Sequence, residues 1–146
     1  MKSIEGNDLD AEALKEKAGG YFKQGYNCAQ AVICAVGPEL GLDVDTASRL
    51  AKGLGGGMGN GKQACGALSG GVVVLSYANN KDADSPKGKG SSYKLSSDLM
   101  EEFEKREGST RCSEIRTGGL DTPVPPICAK CVADSTEITV EMLKEL

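Results

Sequence analysis

The chain has 146 residues and a mass of 15.1 kDa, which leaves room for one compact domain and little for a second core. Leu, Ile, Val and Phe total 29 against a net charge of −4, enough apolar material for a thin core and too little charge to force disorder. A pI near 4.9, no Trp, two Phe and no basic run argue against a nucleic-acid partner, and the lack of any His removes Ser-His-Asp and Cys-His catalysis together with His-ligated metal or haem.

Six cysteines remain as the obvious chemistry: Cys28, Cys34, Cys65, Cys112, Cys128 and Cys131. They are too sparse for a disulfide scaffold, which usually needs about 8–10% Cys. The start of the chain has no apolar h-region, and no run of ~18 apolar residues occurs later. The expectation is a soluble cytoplasmic protein with reduced thiols and no membrane insertion, in which Cys more often react or bind metal than staple a fold.

Taken in chain order, residues 8–23 place Leu9, Ala13, Leu14, Ala18, Tyr21 and Phe22 at spacings of three and four, predicting an amphipathic first helix. From Gln24 to Pro38 no residue is charged, and Cys28, Ala31, Val32, Ala35 and Val36 share one helical face. That predicts a buried second helix. Asn27 suits its N-cap and Gln30 stands in capping-box position, so Cys28 falls in the first turn. A third helix starts at Asp43 or Asp45 and turns Ala47, Leu50, Ala51 and Leu54 inward until the glycines stop it.

Nine of the twenty glycines lie between Gly53 and Gly71. Cys65 to Ala78 is then uncharged, and its Val72-Val73-Val74 would suit a strand. A helix is preferred, because Gly66/Gly70 and Ala67/Gly71 would form a smooth face for a neighbouring helix and no other segment supplies partner strands. Residues 79–91 read as a mobile polar loop, followed by a helix aligning Leu95, Leu99 and Phe103 and ended by Gly108. Ser109 or Thr110 could cap a short turn containing Cys112. Pro126 opens a last helix carrying Val132, Thr136, Val140 and Leu143. The expected fold is all-α, a single domain of about six helices over residues 1–146, with the two uncharged Cys-bearing helices at its centre.

Two nucleotide-like patterns are discounted. Gly56 and Gly61-Lys62 have P-loop spacing, but Gln63 stands where Ser or Thr should reach magnesium, and no strand precedes. Gly59-x-Gly61-x-x-Ala64 lacks the strand-turn-helix context of a dinucleotide fingerprint. These glycines are expected to wall the site of Cys65, leaving Lys62 as a solvated surface charge.

Four thiols, Cys28, Cys65, Cys112 and Cys128, sit at predicted helix starts. Unpaired N–H groups and partial positive charge there stabilise a thiolate, which suits a nucleophile or a metal ligand. Cys65, with no adjacent carboxylate in sequence and glycines on both sides, is expected to be the most activated. Cys34 faces elsewhere and reads as a small buried hydrophobe.

The run Gly25-Tyr26-Asn27-Cys28-Ala29-Gln30, the segment Gly55-Gly56-Gly57-Met58-Gly59 and the stretch Cys65-Gly66-Ala67-Leu68-Ser69-Gly70 resemble a redox-active protein family named for its Cys, CGAxxG, Cys, Cys pattern. Arg111-Cys112-Ser113-Glu114-Ile115 resembles its third Cys segment, and Cys128 to Val132 its fourth. The resemblance implies a small prokaryotic protein with a redox role, often encoded near transporter genes, so its partners would be an unidentified redox partner and a functionally linked transporter. It places the characteristic cysteines at Cys28, Cys65, Cys112 and Cys128, with Gly66, Ala67 and Gly70 completing the CGAxxG element at a cofactor or sulfur-bound ligand. Cys131, at i+3 from Cys128, competes for the fourth position.

Three functions remain open, in this order: thiol–disulfide chemistry or electron transfer through Cys65, Cys28, Cys112, Cys128 and Cys131; an iron–sulfur cluster or other metal held by Cys28, Cys65, Cys112 and Cys128; and a structural helical module. A single CxxC pair puts zinc below iron–sulfur. The cofactor is thus either an iron–sulfur cluster or none.

Overall fold

A computed structural model describes residues 8–146 apart from 82 and 84. It is all-α: α1 (Ala11–Lys23), α2 (Cys28–Val36), α3 (Val44–Ala51), α4 (Gly66–Ala78), α5 (Gly88–Glu107), α6 (Cys112–Ile115) and α7 (Pro126–Leu143), with a 3-10 turn over Gly37–Leu40. No strand forms among the described residues, although one isolated antiparallel bridge joins Ala64 and Arg111. No described helix is long and apolar enough to cross a membrane.

The helix starts follow from local chemistry. Asp10 accepts from the Ala13 amide to cap α1, Asp43 accepts from the Thr46 amide at 2.8 Å to cap α3, and Asn27 and Gln30 close a reciprocal capping box on α2. Pro126 opens α7, where its missing N–H costs nothing.

α2 is the central helix. Ala29 and every residue from Ala31 to Val36 are buried, and α1, α3, α4 and α7 pack around it. α4 takes the second central place and is a helix despite its three consecutive valines, because its glycine face brings two backbones together. A Cβ at Gly70 would come within 2.8 Å of the Ala29 carbonyl oxygen, and one at Gly71 within 2.7 Å of Thr139 Oγ1 on α7. Ser135 Oγ on α7 donates to the Ala67 carbonyl at 2.7 Å, tying the same two helices. Leu99 and Phe103 of α5 complete the core.

Three expectations change. Leu50 is 56% exposed, because the inward face of the short α3 is covered by Ala47 and Ala51 alone. The loop expected over 79–91 ends early, since Gly88–Ser91 form the first turn of α5; Asp82 and Asp84 lie outside the described residues. The residue preceding α6 is Arg111, and neither Ser109 nor Thr110 caps it: the Ser109 hydroxyl accepts from the Arg111 amide, and the Thr110 carbonyl accepts from Cys65 N–H.

Candidate functional site

The site is assembled at helix beginnings. Cys28 is the first residue of α2, Cys65 directly precedes α4, Cys112 is the first residue of α6, and Cys128 lies in the first turn of α7. Cys131 sits one turn further along α7, on the same side as Cys128. The segments bearing Cys65 and Cys112 are laid side by side by the Ala64–Arg111 bridge: Cys65 N–H donates to Thr110 O, and Cys112 N–H donates to Gln63 O, both at 2.8 Å.

All five of these cysteines line one partly open pocket of about 340 Å³. Cys65, Cys112 and Cys131 are buried, while Cys28 and Cys128 are half-buried; all six thiols of the chain are free. The Cys65 thiol interacts with both Cys28 and Cys131, which line the same pocket. Cys112 and Cys128 stand further along the wall. Cys34 lies outside the pocket, buried in α2 with its Sγ 3.9 Å from the Val44 carbonyl oxygen.

The glycine segment forms the facing wall. Gly56 and Gly57 both take positive φ, as do Gly59 and Gly61, so the chain turns tightly enough to approach the sulfurs. A Cβ at Gly57 would come within 2.6 Å of Cys112 Cβ, and the Gly56 amide points at the Cys28 sulfur. Between these glycines Met58 is the one described non-glycine residue at positive φ, 50% exposed. Lys62 follows as an exposed residue outside any strand–loop–helix. Of the CGAxxG residues, Gly66 lines the pocket and lies directly beneath Cys28 Sγ. Ala67 and Gly70 lie outside this pocket lining, at the packing of α4 against α7 and α2.

The electrostatics reverse one expectation. Interaction with Cys131 and burial push the Cys65 thiol up to about 12, although Cys28 favours its thiolate. Interaction with Cys65 and burial likewise hold the Cys28 thiol well above its ordinary range, against the Gly56 and Ala29 amides that stabilise its anion. Cys65 is therefore not the activated sulfur that its helix start implies. The helix-terminal field is outweighed by desolvation and by a neighbouring sulfur competing for charge. Burial also raises Cys112 and Cys128, and at Cys128 the Arg116 guanidinium opposes it.

Arg116 is the pocket-lining side chain that sequence reading passed over. It is the sole charged residue on the pocket wall. A signal existed: Arg116 follows Cys112 by four residues, one helical turn away.

The four-thiolate metal set does not form as expected. Among the described residues no three Cys, Asp or Glu side chains are grouped closely enough to hold one ion; Cys65 interacts with Cys28 and Cys131, whereas Cys112 and Cys128 interact with Cys28.

No curated protein and no solved structure matches the chain. A family model does, over residues 26–142, a span containing all six cysteines and the glycine segment; within it the chain reads Cys65-Gly66-Ala67, with the cysteine ahead of the glycine. The chain belongs to the family described as "Putative redox-active protein (C_GCAxxG_C_C)".

Proposed function

We propose that the protein carries out thiol–disulfide exchange through a dithiol formed by Cys65 with Cys28 or Cys131. The supporting observation is that Cys65 interacts with both of these thiols and that all three line one partly open pocket. Two pocket thiols give up two electrons and two protons, one S–S bond forms between them, and the disulfide of a redox partner is cleaved to two thiols. Cys128 and Cys112, further along the same wall, offer a second pair through which exchange could continue. A reducing compartment such as the cytoplasm suits this chemistry, because the dithiol is then the resting form.

Stoichiometric oxidation of the reduced full-length chain with a small disulfide, followed by non-reducing peptide mass spectrometry, tests the reading. The expected result is an intramolecular disulfide joining Cys65 to Cys28 or Cys131, reversed by dithiothreitol and abolished in Cys65→Ser. Two outcomes overturn it: no intramolecular disulfide under conditions that oxidise the denatured chain, as a structural helical module would behave, or a coloured protein carrying iron after anaerobic purification.

A further inference from the structure

The thiol pocket has one polar end. Among the residues lining it, none is acidic and Arg116 alone is charged; apart from Asn27 and the cysteines, the rest are apolar, aromatic or glycine. Arg116 is held in place independently of any ligand. Its backbone amide donates to Cys112 O at 2.8 Å, and its Nη2 donates to the carbonyl oxygens of Gly119 at 3.3 Å and Thr122 at 3.0 Å. The loop supplying those carbonyls is itself braced, since Thr122 Oγ1 donates back to Gly119 O at 2.6 Å and Gly118 adopts positive φ.

This clamp orients the guanidinium near the Cys128 sulfur, whose thiolate it favours, and leaves it with no carboxylate partner among the described residues. Nε is buried and makes no hydrogen bond among the described residues, and Arg116 forms no ion pair with them. A guanidinium that lines a pocket with no carboxylate beside it favours an anionic occupant. With Nη2 held by the two carbonyls, a carboxylate or similar oxyanion would be met by the guanidinium's charge and its remaining N–H groups. In a low-dielectric pocket that contact is stronger than in water.

We propose that Arg116 is an anion-binding subsite, and that the molecule exchanging with the pocket sulfurs is a small, carboxylate-bearing thiol or disulfide whose remainder is apolar. This rests on the thiol–disulfide reading above. A volume of about 340 Å³ fits a low-molecular-weight compound with its anionic group at Arg116 and its sulfur towards the cysteines. In the oxidising direction, a pocket thiolate attacks one sulfur of the anionic disulfide, forming a mixed disulfide and releasing one small thiol. A second pocket thiolate then attacks the protein-side sulfur of that mixed disulfide and releases the other. The two protons lost by the cysteines end on the two small thiols, and the two electrons reduce the small disulfide.

The test uses the reduced full-length protein and three small disulfides of different charge: 3,3′-dithiodipropionate, bis(2-hydroxyethyl) disulfide and cystamine, which are anionic, neutral and cationic. Oxidation rates of the native chain are divided by those of the urea-denatured chain, which removes intrinsic differences in reactivity. The expected result is a corrected preference of about tenfold for the anionic over the neutral disulfide, lost in Arg116→Gln and partly kept in Arg116→Lys. Thermal melting checks that both variants fold. Equal corrected rates for the three disulfides, or a uniform slowing by Arg116→Gln with the preference intact, would overturn the anion subsite while leaving thiol exchange standing. If none of the three produces an intramolecular disulfide, the thiol–disulfide reading itself fails.

Discussion

The sulfur of Cys28 occupies the space that a side chain at Gly66 would need: a Cβ built on Gly66 collides with Cys28 Sγ, and also comes within 3.0 Å of Gly55 Cα. The first glycine of the CGAxxG element therefore lets α2, α4 and the glycine segment meet at one sulfur. Gly66→Ala is expected to push Cys28 off this position. Overpacking of this kind costs about 1–3 kcal/mol, measurable as a lower urea midpoint. The same variant should show a reduced yield of the Cys28–Cys65 disulfide relative to Cys65–Cys131 on mild oxidation. An unchanged midpoint and an unchanged disulfide ratio would mean that the contact is easily relieved.

Asn27 sets where Cys28 stands. Its side-chain oxygen accepts from the Gln30 amide at 2.8 Å, its Nδ2 donates to Lys52 O at 3.0 Å, and Gly55 packs against it. It thus joins the start of α2 to the end of α3 and to the glycine wall. Asn27→Ala should destabilise by about 1–2 kcal/mol through the lost cap, and Asn27→Ser should recover part of that. Denaturant titration of the two variants checks the order. Because Ser is too short to reach Lys52, Cys28 should still be alkylated faster in Asn27→Ser than in the native chain.

These two residues also mark how far the sequence could be read. The capping box at Asn27 and Gln30, the opening of α7 at Pro126 and the helical character of α4 were all legible, because each depends on residues within one or two turns. The gathering of the cysteines was legible as a tendency, from their shared helix-start positions. Its inner order was not. Cys131 meets Cys65 because α7 packs on α4 through Ser135 and Ala67, and Cys112 lies beside Cys65 because Ala64 pairs with Arg111 across more than forty residues. Neither contact has a local pattern. The upward shift of the Cys65 thiol was hidden for a related reason: helix position is visible in sequence, whereas the neighbouring Cys131 and the burial that oppose it depend on the packed pocket.

Lys62 is the residue that a P-loop reading would make essential. It is exposed and ends a turn of positive-φ glycines that run into the Ala64–Arg111 bridge. Lys62→Ala should change stability by no more than about 0.5 kcal/mol. Calorimetric titration of the native chain with ATP should give no binding heat. Tight ATP binding abolished by Lys62→Ala would refute the surface-charge assignment.

The final prediction concerns the pH dependence of the buried thiols. The Cys65 thiol is pushed up to about 12 in the folded protein, and in the unfolded chain it titrates near the ordinary ~8.5. The folded state therefore holds a proton that the unfolded state releases as pH rises between these values, so stability must fall with pH over that window. The contribution is fully present below about pH 8.5 and is lost progressively towards about pH 12. Cys28, raised chiefly by its interaction with Cys65, acts in the same direction. Urea midpoints of the reduced protein should thus decline from about pH 8 to pH 10 more steeply than those of Cys65→Ser, which keeps a similar shape without the thiol proton. Limiting iodoacetamide near neutral pH should follow the same logic. Half-buried Cys128, with Arg116 favouring its thiolate, is expected to react first, and buried Cys65, Cys131 and Cys34 last. Preferential alkylation of Cys65 near neutral pH, together with a flat midpoint across the alkaline range, would show that the helix-terminal field wins over burial at this site.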